Sequence, residues 1–330
     1  MSLSSSQPVP AREKVLEWWA LFVHRLRERN ATAALDRLLE CFAEYDTYLR
    51  KYASTPLRDA TILEIGFGAR PYRLMALTSL GFDAIGVDLD QPSLHRNRGE
   101  LVSIYKKNGF ERMLKTLVRS TLFDARERRA LAKLIKKHGR DLVIQDDRYL
   151  VIDAASSRFD DIMRKRPVDL IISEDVFEHI PTTSLRTVVA RMGQWLNPRG
   201  IALIRPNVYT GITGSHLVEW YPPLDSGSRR KSEPWEHLRK NRYVANTFLN
   251  KLTRREYRKL FSQHFDILEE HTLTPDLGRE FATPEVRADL RQFPDEELFS
   301  NQVLFVLRPR THISGPTEVV ARARRPRTGA

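Results

Sequence analysis

Apolar side chains recur at helical spacing through Val15, Trp18, Trp19, Phe22, Val23 and Leu26, and again at Ala34, Leu35, Leu38, Leu39 and Phe42. Neither proline nor glycine interrupts residues 11–52, so the pattern predicts two amphipathic helices, an N-terminal helical cap over 11–57. Beyond it the period changes. Short, mostly apolar runs at 61–65, 84–88, 149–153, 168–173, 201–204, 265–269 and 302–307 read as strands, and helical stretches separate most of them. Strand alternating with helix predicts an α/β domain over 58–310, with a seven-stranded, mostly parallel sheet covered by helices on both faces.

The connection between 88 and 149 is far longer than connections in compact domains normally are. Leu101, Ile104, Tyr105, Met113, Leu114, Leu117, Leu131, Leu134 and Ile135 recur in it at helical spacing, which predicts a helical insert at about 96–148, after the second strand. A stretch at about 207–250 reads as a substrate loop, and residues 1–10 and the basic tail 311–330 read as disordered.

Composition narrows the partners. A chain of 330 residues, 41% hydrophobic, can bury one large core and an appended cap. Its 54 Lys and Arg against 42 Asp and Glu give a net charge of +12, which favours an anionic partner: a phosphorylated or carboxylated metabolite, nucleic acid or an acidic membrane surface. Between residues 100 and 141 twelve Lys and Arg face only five acids, so the insert is expected to form a basic cap that selects an anionic acceptor. Arg112, Lys115 and Arg119 share one helical face of it. The single cysteine, Cys41, excludes an internal disulfide and a cysteine-cluster zinc site, and fits a reducing, cytoplasmic setting. No stretch approaches the roughly 18 to 20 apolar residues of a membrane span. The first apolar run is broken by Glu17, His24 and Arg25, which argues against a signal peptide.

The richest chemistry follows the first strand. Glu64-Ile-Gly66-Phe67-Gly68 runs an apolar strand into a turn whose glycines permit a tight bend and close backbone approach to a ligand. Asp88 ends the second strand, where a carboxylate can take both hydroxyls of a ribose, with Leu89 next to it and Asp90 in reserve. Asp153, followed by Ala154, ends the third strand, and Glu174-Asp175-Val-Phe-Glu178-His179 follows the fourth. All of these fall at carboxyl ends of strands, the edge where open α/β sheets bind ligands. A dinucleotide-binding turn would need a third glycine where Pro71 stands, and proline there lacks both the small surface and the donor that a pyrophosphate requires.

From these motifs the chain resembles the class I, Rossmann-like S-adenosylmethionine-dependent methyltransferases, in particular the group that modifies small molecules and lipids, over about residues 58–308. The resemblance implies S-adenosyl-L-methionine as cofactor. It assigns the methionine end to Glu64, Gly66, Phe67 and Gly68, the ribose to Asp88 with Leu89 beside it, and the adenine to Asp153 and Ala154. Glu174 and the turn after it then lie against the methionine portion and the acceptor. The sequence departs from the family where Arg70 replaces a frequent third glycine.

Methyl transfer needs alignment and exclusion of water more than a covalent nucleophile. A hydroxyl acceptor also benefits from a base near neutral pKa, for which His179 and His216 are the candidates, with Glu178 placed to orient either. His216 sits in a small-residue loop, Asn207-Val-Tyr-Thr-Gly-Ile-Thr-Gly-Ser-His216, that follows Pro206 and is expected to fold over the substrate. The spacing of His, Asp and Glu indicates no zinc or iron site, so catalysis with the cofactor alone is expected. A small-molecule acceptor, an anionic metabolite, glycan or lipid precursor methylated on oxygen, is the expected substrate. The alternative is a methyltransferase-fold protein that binds or methylates nucleic acid.

Overall fold

A computed structural model of the chain describes residues 31–95, 97–119, 124–222, 230–242 and 248–310; the side chains of 31–36, 111, 115 and 119 lie outside it. Trp18 and Trp19 of the expected cap, the tail 311–330, and the side chains of Lys115 and Arg119 therefore fall outside the described residues.

Seven strands form one sheet: β1 (Thr61–Ile65), β2 (Asp83–Asp88), β3 (Tyr149–Val151), β4 (Val168–Glu174), β5 (Leu196–Arg205), β6 (Phe265–Thr272) and β7 (Val303–Pro309). Their order is β3-β2-β1-β4-β5-β7-β6; β1 to β5 pair in parallel, and β7 runs antiparallel between β5 and β6. The chain reverses its direction of winding between β1 and β4, so the crevice beyond their carboxyl ends is where such a sheet takes a ligand.

The period-2 alternation of the strands divides the core. Ile62, Leu170, Ile172, Ile201, Leu203 and Leu304 face one side, under α1 (Ala31–Ala53), α2 (Tyr72–Leu80) and the second helix of the insert. Leu63, Ile65, Ile171, Ala202, Ile204 and Phe305 face the other, under α5 (Ser157–Arg164), α6 (Thr182–Trp195) and α8 (Arg254–Phe261). Both sides are buried, which is why these strands read as nearly unbroken apolar runs. Side-chain caps begin two of the second layer's helices: Ser156 accepts from the Phe159 N–H, and Thr253 with Glu256 forms a capping box.

The described part of the expected N-terminal cap is a layer helix. Phe42, Tyr45, Leu49 and Ala53 of α1 are buried against the sheet, so the helix covers a face of it, and its Cys41 and Glu44 reach Arg205 at the end of β5. The insert is helical, as α3 (Arg98–Arg119), bent at Gly109, and α4 (Ala125–Lys137). Leu131, Leu134 and Ile135 bury α4 in the first core, whereas Val102, Tyr105 and Phe110 of α3 stay exposed. Arg112, expected to await an anion, is instead paired with Asp90, and Asn108 Nδ2 donates to the same carboxylate at 2.9 Å.

A third core was not anticipated. Ile212, Trp220 and Trp235 from the β5–α8 connection meet Val286, Leu290, Leu298 and Phe299 from the connection between β6 and β7. The latter includes α9 (Pro284–Asp289) and α10 (Asp295–Leu298), and α7 (Glu236–Arg239) lies in the former. The start of the expected substrate loop is thus packed: Val208, Thr210 and Ile212 are buried, and a Cβ on Gly211 would stand 2.6 Å from the Asn301 Cα. Its small residues answer to packing rather than to mobility.

Candidate active site

The turn after β1 is held from two sides. Gly66 has φ of +82°, and a Cβ there would lie 2.3 Å from Val176 Cγ2, so the loop after β4 rests directly on the glycine. The Gly68 N–H donates to Asp88 Oδ2 at 2.7 Å, and the Asp90 N–H donates to Asp88 Oδ1 at 2.8 Å. Each carboxylate oxygen has a second lone pair, so Asp88 fixes the turn and still has acceptor capacity for ribose hydroxyls. Burial pushes the Asp88 carboxyl above its ordinary range despite the two donated bonds. Leu89 beside it is 63% exposed, an apolar face available to an adenine. The Ile152 N–H donates to Asp88 O at 2.9 Å, which brings the β3 end alongside; β3 itself stops at Val151, and Asp153 stands in the exposed turn beyond, accepting from Ala155 N–H at 2.8 Å. Arg70, at the departure from the family pattern, binds Glu127 of α4 at 2.6 Å and so ties the turn to the insert.

At the carboxyl end of the first face the apolar pattern turns ionic. Glu64, Glu174 and Arg205 occupy the positions that continue Ile62, Ile172 and Leu203. Arg73 of α2 pairs with Glu174 and lies 3.6 Å from Glu64; Arg205 pairs with Glu44 of α1 and approaches Cys41 Sγ at 3.8 Å. Glu64 is 3% exposed, its Oε2 has no hydrogen-bond partner, and burial pushes its carboxyl up to about 7. The arginines and Glu44 were missed by sequence reasoning; a charged residue ending β5 in phase with buried neighbours was the one local sign.

Across the crevice, the loops after β4 and β5 bring the predicted histidines together. The rings of His179 and His216 are 5.0 Å apart, and Glu178 Oε1 lies 3.9 Å from His216 Nε2. His179 Nδ1 is 3.0 Å from the Phe248 carbonyl, which can only accept, so Nδ1 carries the proton and Nε2 is the accepting nitrogen. Burial lowers the pKa of His179, and burial with the neighbouring His179 and His237 takes His216 down to about 3. Glu178 goes the other way, raised by burial and by the charge of Asp175. The Asn207 N–H reaches Glu178 Oε1 at 3.3 Å, while Asn301 Oδ1 accepts from Thr213 N–H and its hydroxyl, each at 3.1 Å, which anchors the loop carrying His216.

Residues 23–267, most of the chain, match the model of a methyltransferase domain. The chain belongs to the methyltransferase domain family. It is an enzyme of methyl transfer. No curated protein sequence matches it. Solved structures similar to this methyltransferase include the 1,6-didemethyltoxoflavin N1-methyltransferase of Burkholderia thailandensis with bound 1,6-didemethyltoxoflavin and S-adenosylhomocysteine, at 14% identity, 93% coverage of both chains and a TM-score of 0.39. Others are the PH0226 protein of Pyrococcus horikoshii OT3, at 15%, 80% of this chain, 87% of that one and 0.39, and PKMT2 of Rickettsia typhi with S-adenosylhomocysteine, at 12%, 80%, 53% and 0.41. At that similarity none of them carries an argument for this chain.

The methyltransferase's own residues fit S-adenosylmethionine, the donor that the sequence resemblance implies. The space around Gly68 is open, Asp88 and exposed Leu89 stand at the end of the neighbouring strand, and the orphaned Glu64 Oε2 sits in the strand that leads into the turn. A buried carboxylate oxygen with no donor suits the ammonium of a methionine.

Proposed function

We propose that the enzyme methylates a hydroxyl oxygen of an anionic small molecule, with His179 as the base and His216 beside it. The observation that carries this reading is the bond from His179 Nδ1 to the Phe248 carbonyl, which fixes the tautomer and makes Nε2 the proton acceptor. Gly66, Gly68, Asp88 and Leu89 would hold the donor, with Asp153 and Ala154 toward its adenine and Glu64 toward its methionine; Phe67, packed edge-on against Tyr149, stiffens the turn, and Glu174 holds Arg73 in place. Bound S-adenosylmethionine supplies a methyl group already activated by a sulfonium. The chain's part is to align the acceptor, keep water out behind the buried 207–216 loop, and take the hydroxyl proton at His179 Nε2. Burial lowers the pKa of that imidazole, which makes it a weaker base but keeps it unprotonated, and so able to accept, below the pH at which a free histidine protonates. The excess of Lys and Arg in the insert supports an anionic acceptor.

The test is turnover of His179→Ala and His216→Ala, measured as S-adenosylhomocysteine formed with a panel of hydroxylated anions. His179→Ala lowers kcat by roughly 10²- to 10⁴-fold with the affinity for S-adenosylmethionine unchanged. Near-normal kcat in both variants would end the assignment of a base.

A further inference from the structure

Glu178, His179 and His216 are arranged in a way that a proton-accepting imidazole alone does not require. Each offers one ligand atom, and the three atoms lie within 4.8 Å of one another. Glu178 is 3% exposed, and among the described residues no lysine or arginine pairs with it. Its Oε1 accepts the 3.3 Å bond from Asn207, and its Oε2 has no hydrogen-bond partner. A buried carboxylate left so is costly unless a cation completes it. Glu64, the other deeply buried acid of the ligand edge, has Arg73 at 3.6 Å; the place opposite Glu178 is taken by two imidazoles instead.

The donor set identifies the cation by class. Two imidazole nitrogens and one carboxylate oxygen suit zinc and neighbouring divalent transition metals, whereas magnesium and calcium favour oxygen donors. The surrounding bonds are those that ligating side chains use to hold their orientation: His179 Nδ1 to a backbone carbonyl, and Glu178 Oε1 from a backbone N–H. We propose that Glu178, His179 and His216 form a binding site for a divalent transition-metal cation of the zinc class. Bonds of about 2.0–2.2 Å bring ligand atoms closer than they stand here, so the side chains draw together on binding. The inference rests on the O-methylation reading for the cation's use, which is to hold and acidify the hydroxyl acceptor so that its proton leaves to solvent; with Nε2 on the cation, His179 is a ligand and not the base. Binding itself is measurable with no acceptor and no donor present.

The purified enzyme is assayed for bound metal, stripped with a chelator, and titrated by calorimetry with Zn²⁺; Co²⁺ replaces it for visible absorption. The expected result is one cation per chain and a Co²⁺ spectrum of nitrogen and oxygen coordination. In Glu178→Gln and in His216→Ala, each with the parent's far-ultraviolet circular dichroism, Zn²⁺ affinity falls by more than about 10-fold. Should Glu178→Gln fail to fold, His216→Ala decides alone. A parent that takes up no Zn²⁺, or a His216→Ala variant that binds it as tightly as the parent, overturns the proposal. If the parent takes up none while His179→Ala still loses turnover, this inference fails and the base assignment stands.

Discussion

Glu64→Gln separates the stability of the enzyme from its use of the donor. The side chain is buried, one of its oxygens is unpartnered, and its carboxyl is pushed up by burial to about 7. In the unfolded chain the same group titrates near the ordinary glutamate value of about 4.3. A group whose folded pKa is raised gives stability that is complete below the unfolded value and is lost as pH rises through the folded one, here between about pH 4 and 7. Each tenfold change in proton affinity is worth about 1.4 kcal/mol, so the full loss amounts to about 4 kcal/mol. Glutamine keeps the shape and cannot ionise; whatever its amide costs in the pocket is the same at every pH. Urea denaturation of parent and variant without ligand, at about pH 5 and about pH 8, therefore gives a stability difference that moves by about 2–3 kcal/mol in the variant's favour. Calorimetry on the same pair shows weaker binding of S-adenosylmethionine by the variant. A stability difference that does not change with pH would refute the placement of an ionisable Glu64 in this pocket.

Gly66→Ala is expected to destabilise by about 2–4 kcal/mol, from an unfavourable positive φ together with overpacking against Val176; Val176→Ala on the same chain recovers the packing part, as denaturant midpoints show. Reversal of Lys115 and Arg119 to Glu raises KM for an anionic acceptor, more at low salt than at high, and leaves donor affinity unchanged; equal acceptor kinetics at both salt concentrations would remove the insert from substrate selection.

Much of the sheet is legible in the sequence because strands buried on both faces carry their signal locally. β1 occupies the predicted residues, and β2 and β4 come within one residue of their predicted bounds. β3 ends earlier than its apolar run, at Val151, and the chain turns beyond it, where the Ser156 N–H donates to Asp153 O. The glycine turn and Asp88 are equally local. What stays hidden is whatever depends on distant segments meeting. The sequence places Glu178 to orient His179 or His216, but it does not reveal Asn301, which pins the loop that brings His216 to Glu178. The Glu64–Arg73–Glu174 contact joins two strands and a helix, and the core of Trp220, Trp235 and Phe299 joins two connections that each look irregular alone. The same limit explains Arg112: spacing places it on a basic face, while Asp90, which takes it, is reached through the fold.

The central claim is that the edge formed by Gly66, Gly68 and Asp88 holds the methyl donor, and calorimetric titration of parent and Asp88→Ala with S-adenosylhomocysteine tests it most directly. Hydrogen bonds to a charged acceptor are worth about 1.5–3 kcal/mol each, so the account predicts one site per chain in the parent and at least about a tenfold loss of affinity in Asp88→Ala. Asp88→Asn, which keeps one acceptor oxygen to hold the turn, falls between the two. A parent that does not bind the ligand, or an Asp88→Ala variant that binds it as tightly as the parent, contradicts the account.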